Sequence, residues 1–276
     1  MKQLLALLGC LFTLSAGAQY YFNDCVSNRQ THRQYNLLRK WKVRSFTVVA
    51  LPEQAMGKEE VLVTQEMSTD GKRVVIYANE TGGKTNRTVT QYEAGKLVRT
   101  SAARRNGDVT TRFFYAPNGL IQRIESTTRD TSLDINQLEV HTYFYKQDTL
   151  PDFAYVIRDN SDTVRVEFLT DSLQQVVEEK WWRGTKQLER YYYYYDNSRR
   201  LTDIVRFNAK AGKLLPDYIF SYDEEGRTTK MIQVPRFGNN YLTWEYGYDE
   251  KGLKMLEKFS SKDRQQVGTL QYRYSY

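Results

Sequence analysis

Three times in its C-terminal half, this 276-residue chain runs through aromatic-x-Tyr-Asp into a short polar turn and out along an alternating strand. The copies are Tyr193-Tyr194-Tyr195-Asp196, Phe220-Ser221-Tyr222-Asp223 and Tyr246-Gly247-Tyr248-Asp249. A nearly constant step of about 26 residues marks one supersecondary unit used repeatedly. Asp223 to Gly226 and Asp249 to Gly252 place Asp first and Gly fourth, the preferences of a type I turn. The Asp side chain can accept a hydrogen bond from the backbone two residues on, and the Gly takes the positive φ that returns the chain in register. Asp196 opens a third turn with Arg199 where Gly is expected, which predicts strain or a different shape. Gly119 ends a weaker copy after Tyr115.

The flanking runs alternate with period two. Leu242, Trp244, Tyr246 and Tyr248 share one face against Thr243, Glu245 and Gly247, and Leu270, Tyr272, Tyr274 and Tyr276 repeat the arrangement. This is the pattern of strands with one face buried and one wet. Counting return strands such as 120–126, 173–182, 201–207 and 231–234 gives on the order of 14–18 strands, against ~4–6 in an ordinary sheet. The expected fold is all-β, a long antiparallel meander of repeated hairpins over residues 43–276. Such a meander must curl, close into a partial or full barrel, or fold into two layers. Residues 19–42 differ: Ser27 to Gln30 fits a capping box, and Tyr35, Leu38 and Trp41 form a helical stripe. They predict a short basic helix docked with a solvated face carrying Arg29, Arg33, Arg39 and Lys40.

The phrase aromatic-x-Tyr-Asp-x-x-Gly, best matched at Tyr222-Asp223 with Gly226 and at Tyr248-Asp249 with Gly252, resembles the YD repeats of the RHS family. The resemblance covers roughly the last third of the chain and implies hairpin architecture and export. In that family the hairpins wind into a large shell, often around a toxin domain. Here the step is longer, the chain is too short for such a shell, and no toxin domain follows the last strand.

The amino terminus points to the same compartment. Met1-Lys2-Gln3 is a short basic start, residues 4–14 are mostly apolar, and Ser15 to Ala18 supplies small residues. This layout predicts a signal peptide over residues 1–18, cleaved after Ala18, as in exported Bacteroidota proteins. Leu7-Leu8-Gly9-Cys10 loosely resembles a lipobox and offers lipidation at Cys10 as a second route. Cleavage after Ala18 leaves Cys25 as the only cysteine, so packing rather than an intrachain disulfide must hold the fold. The formal charge of +7 is spread along the chain, unlike the concentrated basic groove that nucleic acid requires.

Residue chemistry gives no reaction. His32 reads as an exposed helix residue and His141 as a strand residue. Neither they nor Cys25 are spaced as metal ligands or as a nucleophile and base. No catalytic, cofactor or metal-binding residue is expected. The stripe of Trp244, Tyr246 and Tyr248 reads first as core. The functional reading of the aromatic excess is a platform for a glycan, peptidoglycan or another envelope protein, with Trp181, Trp182 and Trp244 as candidates and one indole of the Trp181-Trp182 doublet on each face. The main alternative is an outer-membrane barrel, suggested by the terminal strand ending at Tyr276. It requires unbroken apolar faces ~9–11 residues long. Asp148-Thr149-Leu150, Asp162-Thr163-Val164 and Asp171-Ser172-Leu173 read as turn exits or as D-[S/T]-apolar O-glycosylation sites.

Overall fold

A computed structural model of the chain describes residues 19–51, 59–79, 85–104, 106–147, 149–208, 212–235, 241–262 and 266–276. The expected signal peptide, with Cys10, and Asp148 of the first candidate glycosylation triplet lie outside them. A π-helical turn (Tyr21–Val26) runs directly into helix α1 (Ser27–Lys40). The strands follow as β1 (Ser45–Leu51), β2 (Glu60–Met67), β3 (Arg73–Asn79), β4 (Thr85–Glu93), β5 (Lys96–Arg104), β6 (Gly107–Tyr115), β7 (Ile121–Asp130), β8 (Ile135–Lys146) and β9 (Leu150–Arg158). The second half comprises β10 (Asp162–Thr170), β11 (Val176–Arg183), β12 (Lys186–Tyr195), β13 (Leu201–Asn208), β14 (Lys213–Tyr222), β15 (Thr228–Gln233), β16 (Leu242–Tyr248), β17 (Lys254–Ser261) and β18 (Gln266–Ser275).

Each strand pairs antiparallel with the next, and β18 returns to β1 from Ser45↔Ser275 to Leu51↔Thr269. The meander closes into one 18-stranded barrel, which leaves no strand edge among the described residues for another chain to extend. Closure is the outcome expected of a hairpin series too long for an open twisted sheet.

The tight turns share one rim. Those opened by Ala116, Asp171, Asp196, Asp223 and Asp249 use the same pair of backbone bonds: the fourth residue donates to the first carbonyl, and the first donates to the fifth. In the last four, the Asp carboxylate also accepts from the fifth residue's N–H at 2.7–2.9 Å. Gly226 and Gly252 take φ of 78° and 77° in the fourth position, while Arg199 and Gln174 take 61° and 63°. The Asp196 turn therefore keeps the common shape and carries the strain on Arg199, which resolves the two expectations for it.

Tyrosines at the rim ends of alternate strands have their own task. Tyr195, Tyr222, Tyr248 and Tyr274 donate their hydroxyls to the carbonyls of Val176, Leu201, Thr228 and Lys254 at 2.6–2.8 Å. Tyr115 and Tyr145 do the same to Leu97 and Ile121. Each bond ties one hairpin to the start of the strand that follows the preceding turn. A net contribution of about 1 kcal/mol per bond makes this ladder a material part of the rim's order.

The barrel's inner face is mainly apolar and aromatic, with buried polar groups at Glu179, His141, Asp217 and Glu257. Phe46, Val74, Tyr92, Ile124, Val166, Tyr191, Tyr193, Ile204, Trp244, Phe259 and Tyr272 are all buried, in two adjoining clusters that fill the interior. The outer face carries charge along the strands, including Arg112 and Arg123 beside Glu125, Arg165 beside Glu167, and Arg190 and Lys180 beside Glu178. Closure and the even strand count suit the outer-membrane alternative, but its wall does not. Each Arg or Lys facing the bilayer midplane costs about 2–4 kcal/mol, and lipid-spanning barrels put their polar residues inside.

The N-terminal helix corks the tight-turn mouth. Tyr20, Tyr21 and Asp24 reach into the interior, where Tyr20 packs on Trp181 and Tyr21 on Tyr193 and Phe168. Further along, Tyr35 stacks on Tyr92 with ring centroids 3.8 Å apart and donates to Gly71 O, and Trp41 donates to Lys251 O. Arg29, Arg33, Arg39 and Lys40 remain exposed, so the docked helix with a solvated basic face is observed. Ser27 does not cap it. The chain is already helical from Tyr20, and Val26 and Ser27 both have right-handed helical φ and ψ.

Candidate functional site

A helix that starts inside an apolar barrel must satisfy its first N–H groups without water. Glu179 on β11 does this. Its carboxylate accepts from the backbone of Tyr20 at 2.9 Å and Tyr21 at 3.0 Å, from Trp181 Nε1 at 2.5 Å and from the Tyr193 hydroxyl at 2.6 Å. The group is fully buried. Burial pushes its pKa up, and the four donors oppose that shift. The positive end of the helix dipole favours the carboxylate as well. Beside it, Gln19 donates to Asp217 at 2.7 Å, and Asp217 is paired with Arg206 at 3.2 Å.

A second clamp holds the first helical turn. Asp24 meets His141 Nδ1 at 2.6 Å and accepts the Tyr143 hydroxyl at 2.6 Å. His141 Nε2 faces Glu139 at 2.9 Å, and Glu139 continues to Arg158, which reaches the Tyr20 hydroxyl at 3.3 Å. Burial opposes charge on His141, but the two carboxylates outweigh it and raise its pKa to about 9. Burial likewise opposes charge on Glu139, yet His141 and Arg158 hold it down at about 2. The row Asp24, His141, Glu139, Arg158 thus alternates in sign and balances itself.

His141 lies in strand β8, as its sequence reading had it, whereas His32 departs from the exposed helix position expected of it. His32 is half-buried and accepts the Leu97 N–H at 2.9 Å. Burial and then Lys96 lower its pKa, which keeps the ring neutral and able to accept. Chemically, the interior clamp is suited to holding rather than reacting. Both His141 nitrogens are engaged by carboxylates, and burial pushes the Cys25 thiol up to about 12, away from the reactive thiolate.

The three platform candidates separate. Trp181 and Trp244 are 7% exposed and belong to the core, so neither can serve a ligand from outside. Their strands turn that face inward, and Trp181 is committed to Glu179. Trp182 lies on the outer wall, half-buried, donating to Glu167 at 2.9 Å. This places one indole of the doublet on each face. Sequence reading missed the aromatic neighbours: Phe144 stacks on Phe153 at 4.5 Å, Tyr155 adjoins both, and the Arg165 guanidinium covers the Phe153 ring at 5.2 Å. The signal was available, since Phe144 alternates with the inward-facing Tyr143 and Tyr145. The turn residues Asp196, Asp223, Gly226, Asp249, Gly252 and Gly119 all sit in the rim turns described above.

No protein-family model matches the sequence, and no curated protein matches it. Among solved structures, a porin-like protein from Bacteroides uniformis is similar at 10% identity and a TM-score of 0.39, over 84% of this chain and 98% of that one. A porin-like protein from Bacteroides vulgatus is similar at 14% identity and a TM-score of 0.32, with the same coverage. The Tc holotoxin pore of Photorhabdus luminescens is similar at 12% identity and a TM-score of 0.32, over 76% of this chain and 16% of that one.

Proposed function

We propose that this chain is an exported protein of the cell envelope or its surroundings that acts as a non-catalytic binding or structural module. The observation that carries the reading is the corked mouth: the barrel's interior is occupied by its own N-terminal segment, clamped at Glu179 and Asp24. Ligands must then be met on the outer wall and rims, where Phe144, Tyr155 and Trp182 present aromatic surface. Export rests on the three-part layout of residues 1–18. Peptidoglycan, envelope glycan or another envelope protein is the partner class.

The test combines fractionation with binding. Expressed in a bacterium with its leader, the protein is expected outside the cytoplasm and released from membranes by carbonate. It is also expected to be retained on an envelope-glycan or peptidoglycan resin, without turnover of it. Carbonate-resistant membrane insertion, or steady release of soluble sugar that one carboxylate substitution abolishes, would contradict the reading.

A further inference from the structure

Two neighbouring rim turns depart from the glycine rule, and a shallow, solvent-open cleft of about 470 Å³ lies between them. Leu173, Gln175 and Val177 line one side, and Tyr194, Asn197 and Arg199 the other. Gln174 and Arg199 hold the left-handed conformation that Gly226 and Gly252 hold elsewhere. For a residue with a Cβ this costs about 1–2 kcal/mol. The Gln175 amide reaches the Arg199 carbonyl at 3.4 Å, bridging the two turns.

The charges in the cleft are unevenly committed. Asp171 accepts the N–H groups of Leu173 and Gln175, both at 2.9 Å. Asp196 accepts those of Ser198 and Arg200 and is paired with the Arg200 side chain. Both acids are therefore engaged within their own turns. Arg199 is exposed, and its guanidinium has no hydrogen-bond or ion-pair partner among the described residues. Beside it stand a tyrosine ring 47% exposed at Tyr194 and a leucine 51% exposed at Leu173. An uncommitted cation, an exposed aromatic surface and two carboxamides within one cleft fit a ligand with a carboxylate on a hydroxylated ring that has an apolar face.

We propose that this cleft binds an acidic sugar, with the carboxylate on Arg199, the ring face on Tyr194 and the hydroxyls on Gln175 and Asn197. The inference rests on the binding-module reading and deepens it. Charge-assisted bonding by a guanidinium to a carboxylate supplies the preference over a neutral sugar.

Calorimetric titration of the whole protein with digalacturonate, with a neutral galactose disaccharide and with an acidic tripeptide tests it. Digalacturonate is expected to bind most tightly, and Arg199→Gly to weaken it about tenfold or more. Arg199→Gly relieves backbone strain, so its loss of binding cannot be ascribed to unfolding. Tyr194→Ala, an outer-wall change, is expected to weaken both sugars together. Equal binding by wild type and Arg199→Gly, or tightest binding of the neutral sugar or the peptide, would overturn the cleft assignment. If the cleft variants fail to alter binding while envelope-glycan retention persists, the module reading stands and only the site is wrong.

Discussion

Asp24 and His141, 117 residues apart in sequence, meet at 2.6 Å inside the barrel. Their pairing joins the first turn of the N-terminal helix to the middle of the sheet and is continued by Glu139 and Arg158. Removing one member of a buried pair strands the other charge. Asp24→Ala is therefore expected to destabilise the protein by about 3–5 kcal/mol in urea titration. Tyr143→Phe, which removes a hydroxyl shared between Asp24 and the Tyr20 carbonyl, should cost about 1 kcal/mol. An Asp24→Ala midpoint equal to wild type would mean the clamp contributes nothing.

The chain's two histidines should titrate on opposite sides of their ordinary value of 6.5, as followed by imidazole proton shifts. His141 is held charged, with its pKa raised to about 9, and His32 is held neutral, with its pKa lowered. The raised group contributes stability that is present below pH 6.5 and lost as pH rises towards about 9. Glu139, lowered from 4.5 to about 2, contributes stability present above pH 4.5 and lost as pH falls towards 2. Stability should decline on the alkaline side, and His141→Gln should flatten that limb. Titration of both rings together near 6.5 would contradict the clamp's electrostatics.

Loss of one rung of the tyrosine ladder should be small, local and additive. Tyr222→Phe and Tyr274→Phe each remove a hydroxyl bond, to Leu201 O and Lys254 O. Each is expected to cost about 1 kcal/mol, and the distant pair about 2 kcal/mol together. Thermal melts of the three variants check this, and a double variant no worse than either single would argue against independent rungs.

At the turns, substitution should cut both ways. Arg199→Gly and Gln174→Gly relieve left-handed backbone at φ of 61° and 63° and should stabilise by about 1 kcal/mol each. Gly226→Ala, at φ of 78°, should destabilise by a similar amount. Denaturant midpoints that move in the reverse order would show that the turns are shaped by something other than φ.

Particular residues show how far the fold could be read in advance. Asp249 to Gly252 announced a hairpin because each side chain there answers a backbone requirement of the turn. The Asp171 turn has the same geometry but ends in Gln174, so nothing local signalled it as a repeat. Closure was not legible, because the pairing of Ser45 with Ser275 is a property of the whole series and not of either strand. The cork was half legible. Tyr35 and Leu38 marked a buried stripe, but the partners of the first turn looked like ordinary strand polars. The usable clue was Glu179 on the same face as Trp181, since a carboxylate on an inward aromatic face demands inward donors. The aromatic stripes divide: Trp181 and Trp244 are core, which is the first reading of the Trp244 stripe, and the solvent-facing rings are others.

Amide hydrogen exchange at Tyr20 and Tyr21 shows whether the N-terminal segment is an integral part of the barrel. Both N–H groups end on Glu179 in a buried site. They should exchange as slowly as the amides of the interior strands, through opening of the whole fold, and Glu179→Gln should accelerate them. Exchange at the rate of an unstructured peptide, with the strands still protected, would contradict an integral role for the segment.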